Sequence, residues 1–241
     1  MVAGRGLSLG LHMQYTIPIN NVQNRDTMNW TDLEKHFSTA RLGRYRAACG
    51  GSAARAAAAY SHNMLLAEAM LPSLNVLEIA LRNGIHSRLT RRYGRADWWE
   101  AWAGIPGFAW QNNEINGAKA KLIRRKEAQT PDKIIAELTF GFWSSLFNTQ
   151  FQAVLWKELR LVFPRCPKPH RQRHTISSAL NQIRDLRNRV FHHEPLLWLT
   201  PALIDQHALG LQAIGWLDPQ LVNWLNHHDR LPVAWTVWKS I

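Results

Sequence analysis

The stretch "IRDLRNRVFHHEP", residues 183–195, ends a segment of helical periodicity that covers residues 175–192. At about 100° per residue, the apolar side chains of this segment fall on one stripe. The stripe consists of Ile176, Leu180, Ile183, Val190 and Phe191. Arg187 falls near the middle of the stripe, and Pro195 disfavours helical geometry at Glu194. The pattern predicts a helix with an arginine on its core face and two histidines, His192 and His193, at its end.

The segment "LNVLEIALRNGIHSRL", residues 74–89, has the complementary pattern. Its apolar stripe consists of Leu74, Leu77, Leu81, Ile85 and Leu89. Glu78 lies within this stripe, as Arg187 lies within the other. An unpaired charge on a core face is costly, so the two segments are expected to pack together. We expect Glu78 to accept a hydrogen bond from Arg187, or from Arg82 beside it.

Sequence signals for helices also occur throughout the rest of the chain. N-cap and proline signals predict helix starts at Thr31, Ser52, Pro72, Thr130-Pro131, Thr200-Pro201 and Asp218-Pro219. The first three segments are expected to end near Ala48, Met70 and Gly94, and further helices are predicted over residues 112–127 and 151–163. No run of alternating β-branched residues bounded by turns is present in the sequence. The predicted fold class is therefore all-α.

The length of 241 residues and a hydrophobic content of 46% allow one large domain. We expect a flexible N-terminal tail over residues 1–28, with Met13 as an alternative start, and a single all-α domain over residues 29–241. The proline-rich segment 164–174 is expected to form an exposed loop, and the 12 tryptophans to fill the core or an interface.

The charge balance favours a polyanionic partner. The chain has 29 Lys and Arg against 17 Asp and Glu, a net charge of +12. Nucleic acid is the leading candidate partner, because neutralisation of phosphates releases counterions. No apolar run approaches the roughly 20 residues needed to span a bilayer, so no membrane partner is expected. The 2 cysteines are too few for a disulfide framework, which favours a cytoplasmic location.

Arg187, Asn188 and His192 together suit phosphoryl chemistry on RNA. Asn188 and His192 are four residues apart and therefore neighbours on a helix, with Arg184 one turn earlier. In this chemistry the 2′-hydroxyl attacks its own phosphate, histidine moves protons and arginine stabilises the phosphate oxygens. The reaction requires no cofactor, and none is expected. Cys166, His170 and His174 have spacing compatible with zinc but lack a fourth ligand, so no metal is expected.

"LRNRVFHHEP", residues 186–195, resembles the Arg-Asn-x-x-x-His signature of HEPN domains (higher eukaryotes and prokaryotes nucleotide-binding). The chain looks most like the Abi-like proteins of bacterial abortive-infection defence, because "NVLEIALRN" and "LTFGFWSSLF" also resemble that family's flanking segments, in the same order. The resemblance covers roughly residues 30–230.

The resemblance implies an all-α HEPN-type helical bundle with additional helices. It implies a homodimer whose two motifs form one composite active site, and a metal-independent endoribonuclease that leaves 2′,3′-cyclic phosphate ends. The motif maps onto Arg187, Asn188 and His192, with His193 as a neighbouring candidate. Some relatives are toxins that an antitoxin or small RNA restrains. "LRNGIH", residues 81–86, is one residue short of the usual Arg-to-His interval, so Arg82 and Asn83 are interpreted as supporting residues.

Three alternatives remain open from the sequence. The motif is also compatible with an ordinary helix end that carries favourable cations, with no chemical role. A non-catalytic RNA-binding or regulatory protein on the same fold would keep RNA affinity without cleavage. A helical interaction protein with basic surfaces would show neither RNA affinity nor a steep salt dependence.

Overall fold

A computed structural model describes residues 28–240. Within this range the chain forms eleven α-helices and no β-strand, which confirms the all-α class. The helices are α1 (Trp30–Phe37), α2 (Thr39–Ala48), α3 (Ala53–Tyr93), α4 (Ala109–Arg124), α5 (Pro131–Glu137), α6 (Phe140–Ser145), α7 (Gln152–Leu159), α8 (Arg173–Phe191), α9 (Leu203–Leu217), α10 (Pro219–Leu225) and α11 (Leu231–Lys239). The tail predicted over residues 1–28, with the alternative start at Met13, lies outside the described residues except for Met28.

Helix α3 is 41 residues long and is the axis of the fold. It packs against helices from both ends of the chain, among them α2, α8, α9 and α11. The predicted stripe is confirmed, because Leu74, Leu77, Leu81, Ile85 and Leu89 are all buried. The buried apolar residues form one cluster that extends from Leu42 to Leu231.

Pro72 does not begin a helix, contrary to the sequence prediction. It lies inside α3, which continues from the predicted start at Ser52 to the predicted end at Gly94. A proline within a helix costs about 3 kcal/mol because it removes one backbone hydrogen bond. Residues on both sides of it are buried, including Met70, Ser73 and Leu74, and their packing offsets that cost.

Two other predicted boundaries were wrong. The segment from Thr31 to Ala48 is two helices, since Ser38 has φ 68° and its hydroxyl caps α2 by accepting a hydrogen bond from Arg41 N. Helix α9 begins at Leu203 instead of Pro201, because the carbonyl of Ala202 accepts its first backbone hydrogen bonds. The other proline starts, Pro131 and Pro219, are confirmed as first helical residues.

Five of the 12 tryptophans are buried in the core, as predicted, whereas three others are exposed. Trp98, Trp102 and Trp143 are fully buried, and the rings of Trp98 and Trp102 lie 4.6 Å apart. The indole N–H of Trp98 donates to His86 Nδ1 at 3.0 Å, and that of Trp102 donates to the Tyr93 hydroxyl at 3.0 Å. These bonds satisfy polar groups that would otherwise be buried without partners.

Helix α3 is long and apolar enough to cross a membrane by length and composition, so the expectation that no apolar run approaches this length was wrong. Its most apolar 18-residue window has a mean hydropathy of 1.5, and 39% of that window is buried. A central core helix meets the same criteria, so this finding alone does not place α3 in a bilayer.

Candidate functional site

The candidate site lies on the last two turns of α8. This helix packs against α3, α6 and α9 through a buried face that includes Ile176, Ile183, Leu186 and Val190. The rest of the surface of its last turns is open to solvent to different degrees. It carries Arg184, Arg187, Asn188, Phe191 and His192.

Arg187 contacts Glu78, as the sequence predicted. Its Nε lies 3.3 Å from Glu78 Oε2, and the two side chains are 26% and 24% exposed. The guanidinium carbon lies 4.5 Å from the centroid of the Phe191 ring, a cation–π distance. Arg187 is therefore held between a carboxylate of α3 and an aromatic ring of α8.

Two details of the predicted stripe were wrong. Phe191 is 49% exposed and lies outside the core, and Arg187 lies at the edge of the buried face. The periodicity did place both residues close to the apolar side chains, but the buried face of the last turns consists of Ile183, Leu186 and Val190. Phe191 instead borders a groove on α3.

This groove, the α3 groove, has a volume of about 360 Å³ and lies between α3 and Phe191. Glu78 and Arg82 line it, together with apolar side chains such as Leu71 and Ile79. Arg82 Nε donates to Asn83 Oδ1 at 3.3 Å, so Glu78 is paired with Arg187 and Arg82 with its own neighbour. Of the three supporting residues predicted on α3, Glu78 contacts Arg187, and Arg82 lines the same groove as Glu78.

His192 and His193 form the turn that ends α8. The backbone N–H of His192 donates to the Asn188 carbonyl at 2.8 Å, and that of Glu194 donates to the Arg189 carbonyl at 2.9 Å. His193 has φ 56°, the left-handed conformation that commonly follows a helix. Both imidazoles are exposed, so they are accessible to a substrate.

Arg184 contacts a different part of the fold. It lines a depression of about 350 Å³ with Trp110, Gly141 and Ser145. Gly141 and Ser145 belong to α6, which carries the "LTFGFWSSLF" segment. The two segments singled out with the motif, on α3 and α6, therefore flank α8 on both sides.

Within one chain, the motif residues lie on the same two turns of α8 but point in different directions. Arg187 and His192 are five residues apart, which separates their directions by about 140° around the helix. Arg187 faces Glu78, which lines the α3 groove, whereas His192 lines a second pocket beside α2. Asn188 lies between them on the exposed surface.

The sequence reading missed three residues around the histidine turn. Asn63 on α3 is 4% exposed, and its amide binds the backbone of the turn at Glu194 O (3.1 Å) and Leu196 N (2.6 Å). Its position among the apolar residues of α3 was the available signal. Arg41 and Arg44 on α2 line the pocket beside His192, and their spacing of three residues gave only a weak signal.

His86 is the histidine that follows Arg82 and Asn83 on α3. Its side chain is directed into the protein. Burial lowers the pKa of His86, partly opposed by Asp132, and its Nδ1 accepts the Trp98 hydrogen bond. Among residues 28–240 no group of three His, Cys, Asp or Glu side chains has the arrangement of a metal site. Cys166, His170 and His174 form no such group there, and Cys166 is buried.

Comparison of the chain with protein family models, with curated proteins and with solved structures finds no significant match.

Proposed function

We propose that this protein is a metal-independent endoribonuclease of the HEPN type, similar to the Abi-like proteins of anti-phage defence. It would act in the cytoplasm on single-stranded or looped RNA and leave 2′,3′-cyclic phosphate ends. The observation that carries the proposal is the pair of last turns of α8, which leave Arg184, Arg187, Asn188 and His192 outside the buried face, with Arg187 held by Glu78.

The proposed reaction follows from these side chains. The 2′-oxygen of the RNA forms a bond to phosphorus, and the bond from phosphorus to the 5′-oxygen breaks. An imidazole accepts the proton of the 2′-hydroxyl, and an imidazolium donates a proton to the departing 5′-oxygen. Arg187 stabilises the charge on the phosphate oxygens, and Asn188 orients the phosphate or the imidazole.

Neighbouring residues support this chemistry without taking part in it. Glu78 restricts the rotation of Arg187, which lowers the entropy that the side chain loses when it meets a phosphate. Arg184, Arg82, Asn83 and His193 would contact the RNA or hold the residues that do.

A homodimer would explain why the motif residues diverge within one chain. Two copies of the α8 face, placed opposite each other, would bring Arg187 of one chain near His192 of its partner. One imidazole could then act as the base and the other as the acid. The half-exposed ring of Phe191 and the apolar side chains of the α3 groove would be covered in such a dimer.

A second candidate is a non-catalytic RNA-binding or regulatory protein on the same fold. The separation of Arg187 and His192 by about 140° within one chain favours it, because one chain alone does not assemble a complete site. In this case an antitoxin, a small RNA or another partner would define the function.

The test is an RNA cleavage assay in excess EDTA. Wild type and an Arg187→Ala/His192→Ala variant are incubated with total cellular RNA, and the fragment ends are mapped. We expect cyclic-phosphate ends from the wild type and intact RNA from the variant. The Arg124→Ala variant is the control, because Arg124 is an exposed arginine on α4.

Intact RNA in both reactions, with binding retained, would support the regulatory candidate. Fragmentation by both proteins would show that the nuclease activity does not depend on this motif.

A further inference from the structure

A second basic pocket lies beside the histidine turn, separate from the α3 groove. This α2 pocket has a volume of about 240 Å³ and is lined by Arg41, Arg44, His192, His193 and Glu194, among others. Arg41 and Arg44 are three residues apart and so lie on the same face of α2. The pocket therefore joins a helix near the N-terminal end of the described chain to the end of α8.

Both walls of the α2 pocket are fixed by hydrogen bonds. Arg41 Nη1 donates to the His193 carbonyl at 2.9 Å, which ties α2 to the turn. On the far side, the buried amide of Asn63 holds the backbone at Glu194 and Leu196. An amide that is 4% exposed and bonded at both ends restricts the turn strongly. The walls of the pocket are therefore held by contacts within the chain.

The charge in the α2 pocket is predominantly positive. Its one carboxylate, Glu194, lies 3.2 Å from Arg189 and is already paired. Arg44 is exposed, and its guanidinium makes no hydrogen bond or ion pair with any of residues 28–240. A guanidinium in this situation is available to an anion, and its planar fork matches the oxygens of a phosphate.

We propose that the α2 pocket is a phosphate subsite, in which Arg44 contacts the RNA phosphate adjoining the one at Asn188 and His192. His192 links the two places, because it lies one helical turn from Asn188 and also lines the α2 pocket. A single strand that crosses the α8 face toward α2 would place its next phosphate beside Arg44. Arg41 positions the turn, and Arg44 is the residue that contacts the ligand.

This proposal rests on the proposed RNA function, but its test does not require cleavage. The probe is a fluorescein-labelled 2′-O-methyl oligouridylate, which has no free 2′-hydroxyl and cannot be cleaved by the proposed reaction. Its affinity is measured by fluorescence anisotropy over a range of salt concentrations, in EDTA. The proteins compared are the wild type, Arg44→Ala, Arg44→Lys and the control Arg124→Ala.

We expect Arg44→Ala to weaken binding about tenfold, the effect of one charge-assisted contact. The slope of log affinity against log salt should fall by about 0.7, the value for one phosphate contact on a single strand. Arg44→Lys should keep the slope, since it keeps the charge, and Arg124→Ala should stay close to the wild type. Circular dichroism of Arg44→Ala should match the wild type, because Arg44 is exposed.

The outcomes separate this proposal from the nuclease proposal. A slope for Arg44→Ala equal to that for Arg124→Ala overturns the phosphate subsite, even if wild type cleaves unmodified RNA. A selective loss in Arg44→Ala, combined with no cleavage of unmodified RNA by wild type, supports the subsite and overturns the nuclease. A wild type that does not bind the probe overturns the subsite.

Discussion

The chain contains two runs with nearly the same residues, and the structure places them in different environments. On α3, Arg82 and Asn83 precede His86, and on α8, Arg187 and Asn188 precede His192. His86 is turned toward the core and accepts a hydrogen bond from the fully buried Trp98. His192 is exposed in the turn that ends its helix. Residue type alone therefore does not identify a site.

The position of each run within its helix explains the difference. The α3 run is in the interior of a 41-residue helix, where every backbone group has a helical partner and the side chains pack on neighbours. The α8 run crosses a helix end, where the chain turns and leaves two imidazoles in solvent. Accessible imidazoles can exchange protons with a substrate, whereas a histidine that accepts a buried indole N–H is occupied.

The largest effect is expected when the two histidines are changed separately. His192→Ala should lower the rate of RNA cleavage by at least about 10²-fold, the usual contribution of a general acid or base. His86→Ala should leave cleavage by the folded protein within about twofold, but it should cost about 1–3 kcal/mol of stability because the Trp98 indole loses its acceptor. Cleavage rates and urea unfolding of both variants measure these separate effects on activity and on stability.

A matching loss of cleavage in the two variants, at equal fractions of folded protein, would contradict the comparison. So would a His192→Ala variant that is strongly destabilised, because an exposed side chain contributes little to folding.

Much of the fold could be predicted from the sequence because its signals are local. The stripe of Leu74, Leu77, Leu81, Ile85 and Leu89 follows from helical periodicity, and all five residues are buried. The helix interruption at Pro72 was wrong because the proline rule is local, whereas the burial on both sides of Pro72 depends on the whole fold. The break at Ser38 was missed because serine rarely signals a positive φ.

The candidate site could be predicted only in part, because only some of its contacts leave a local signal in the sequence. Opposite charges on two apolar stripes were sufficient to predict the contact of Glu78 with Arg187. The role of Asn63 could not be predicted, because its partner at Glu194 is 131 residues away in the chain. Arg41 likewise contacts His193 across 152 residues, and no spacing rule reaches that far.

The two runs also differ at Gly84, a glycine that only the α3 run contains. A Cβ added at Gly84 would lie 2.9 Å from Val162 Cγ1, so α3 packs too closely there for a larger residue. Gly84→Ala should lower the free energy of unfolding by about 1–2 kcal/mol, since the steric cost exceeds the gain in helix propensity. Gly117→Ala on α4 is the control, because an added Cβ there meets nothing within 4 Å and should stabilise the helix. Equal stability changes in the two variants would show that the α3 run is not tightly packed.

A smaller effect is expected when the ion pair between Glu78 of α3 and Arg187 of α8 is weakened. Glu78→Gln removes the charge opposite Arg187 but keeps an oxygen that accepts its hydrogen bond. Because the glutamine oxygen keeps the hydrogen bond and only the charge is lost, the loss of stability should be about 0.5–1 kcal/mol. Cleavage should fall about threefold as Arg187 becomes less restricted. Glu68→Gln breaks a more exposed pair with Arg230 and should change neither quantity. An unchanged cleavage rate in Glu78→Gln would remove the positioning role of Glu78.

The smallest expected effect is a pH dependence of stability from His86. Burial lowers the pKa of His86 in the folded protein, so the unfolded chain binds a proton at this residue at higher pH than the folded chain does. The stability that the neutral ring contributes is complete above the ordinary histidine pKa of about 6.5 and is lost as the pH falls from there toward the lowered folded pKa.

His86→Gln keeps an acceptor for Trp98 and does not titrate, so its unfolding free energy should fall less between about pH 7 and pH 5 than that of the wild type. Urea unfolding at the two pH values measures the difference, and parallel losses in wild type and His86→Gln would mean that His86 is not held neutral by its surroundings.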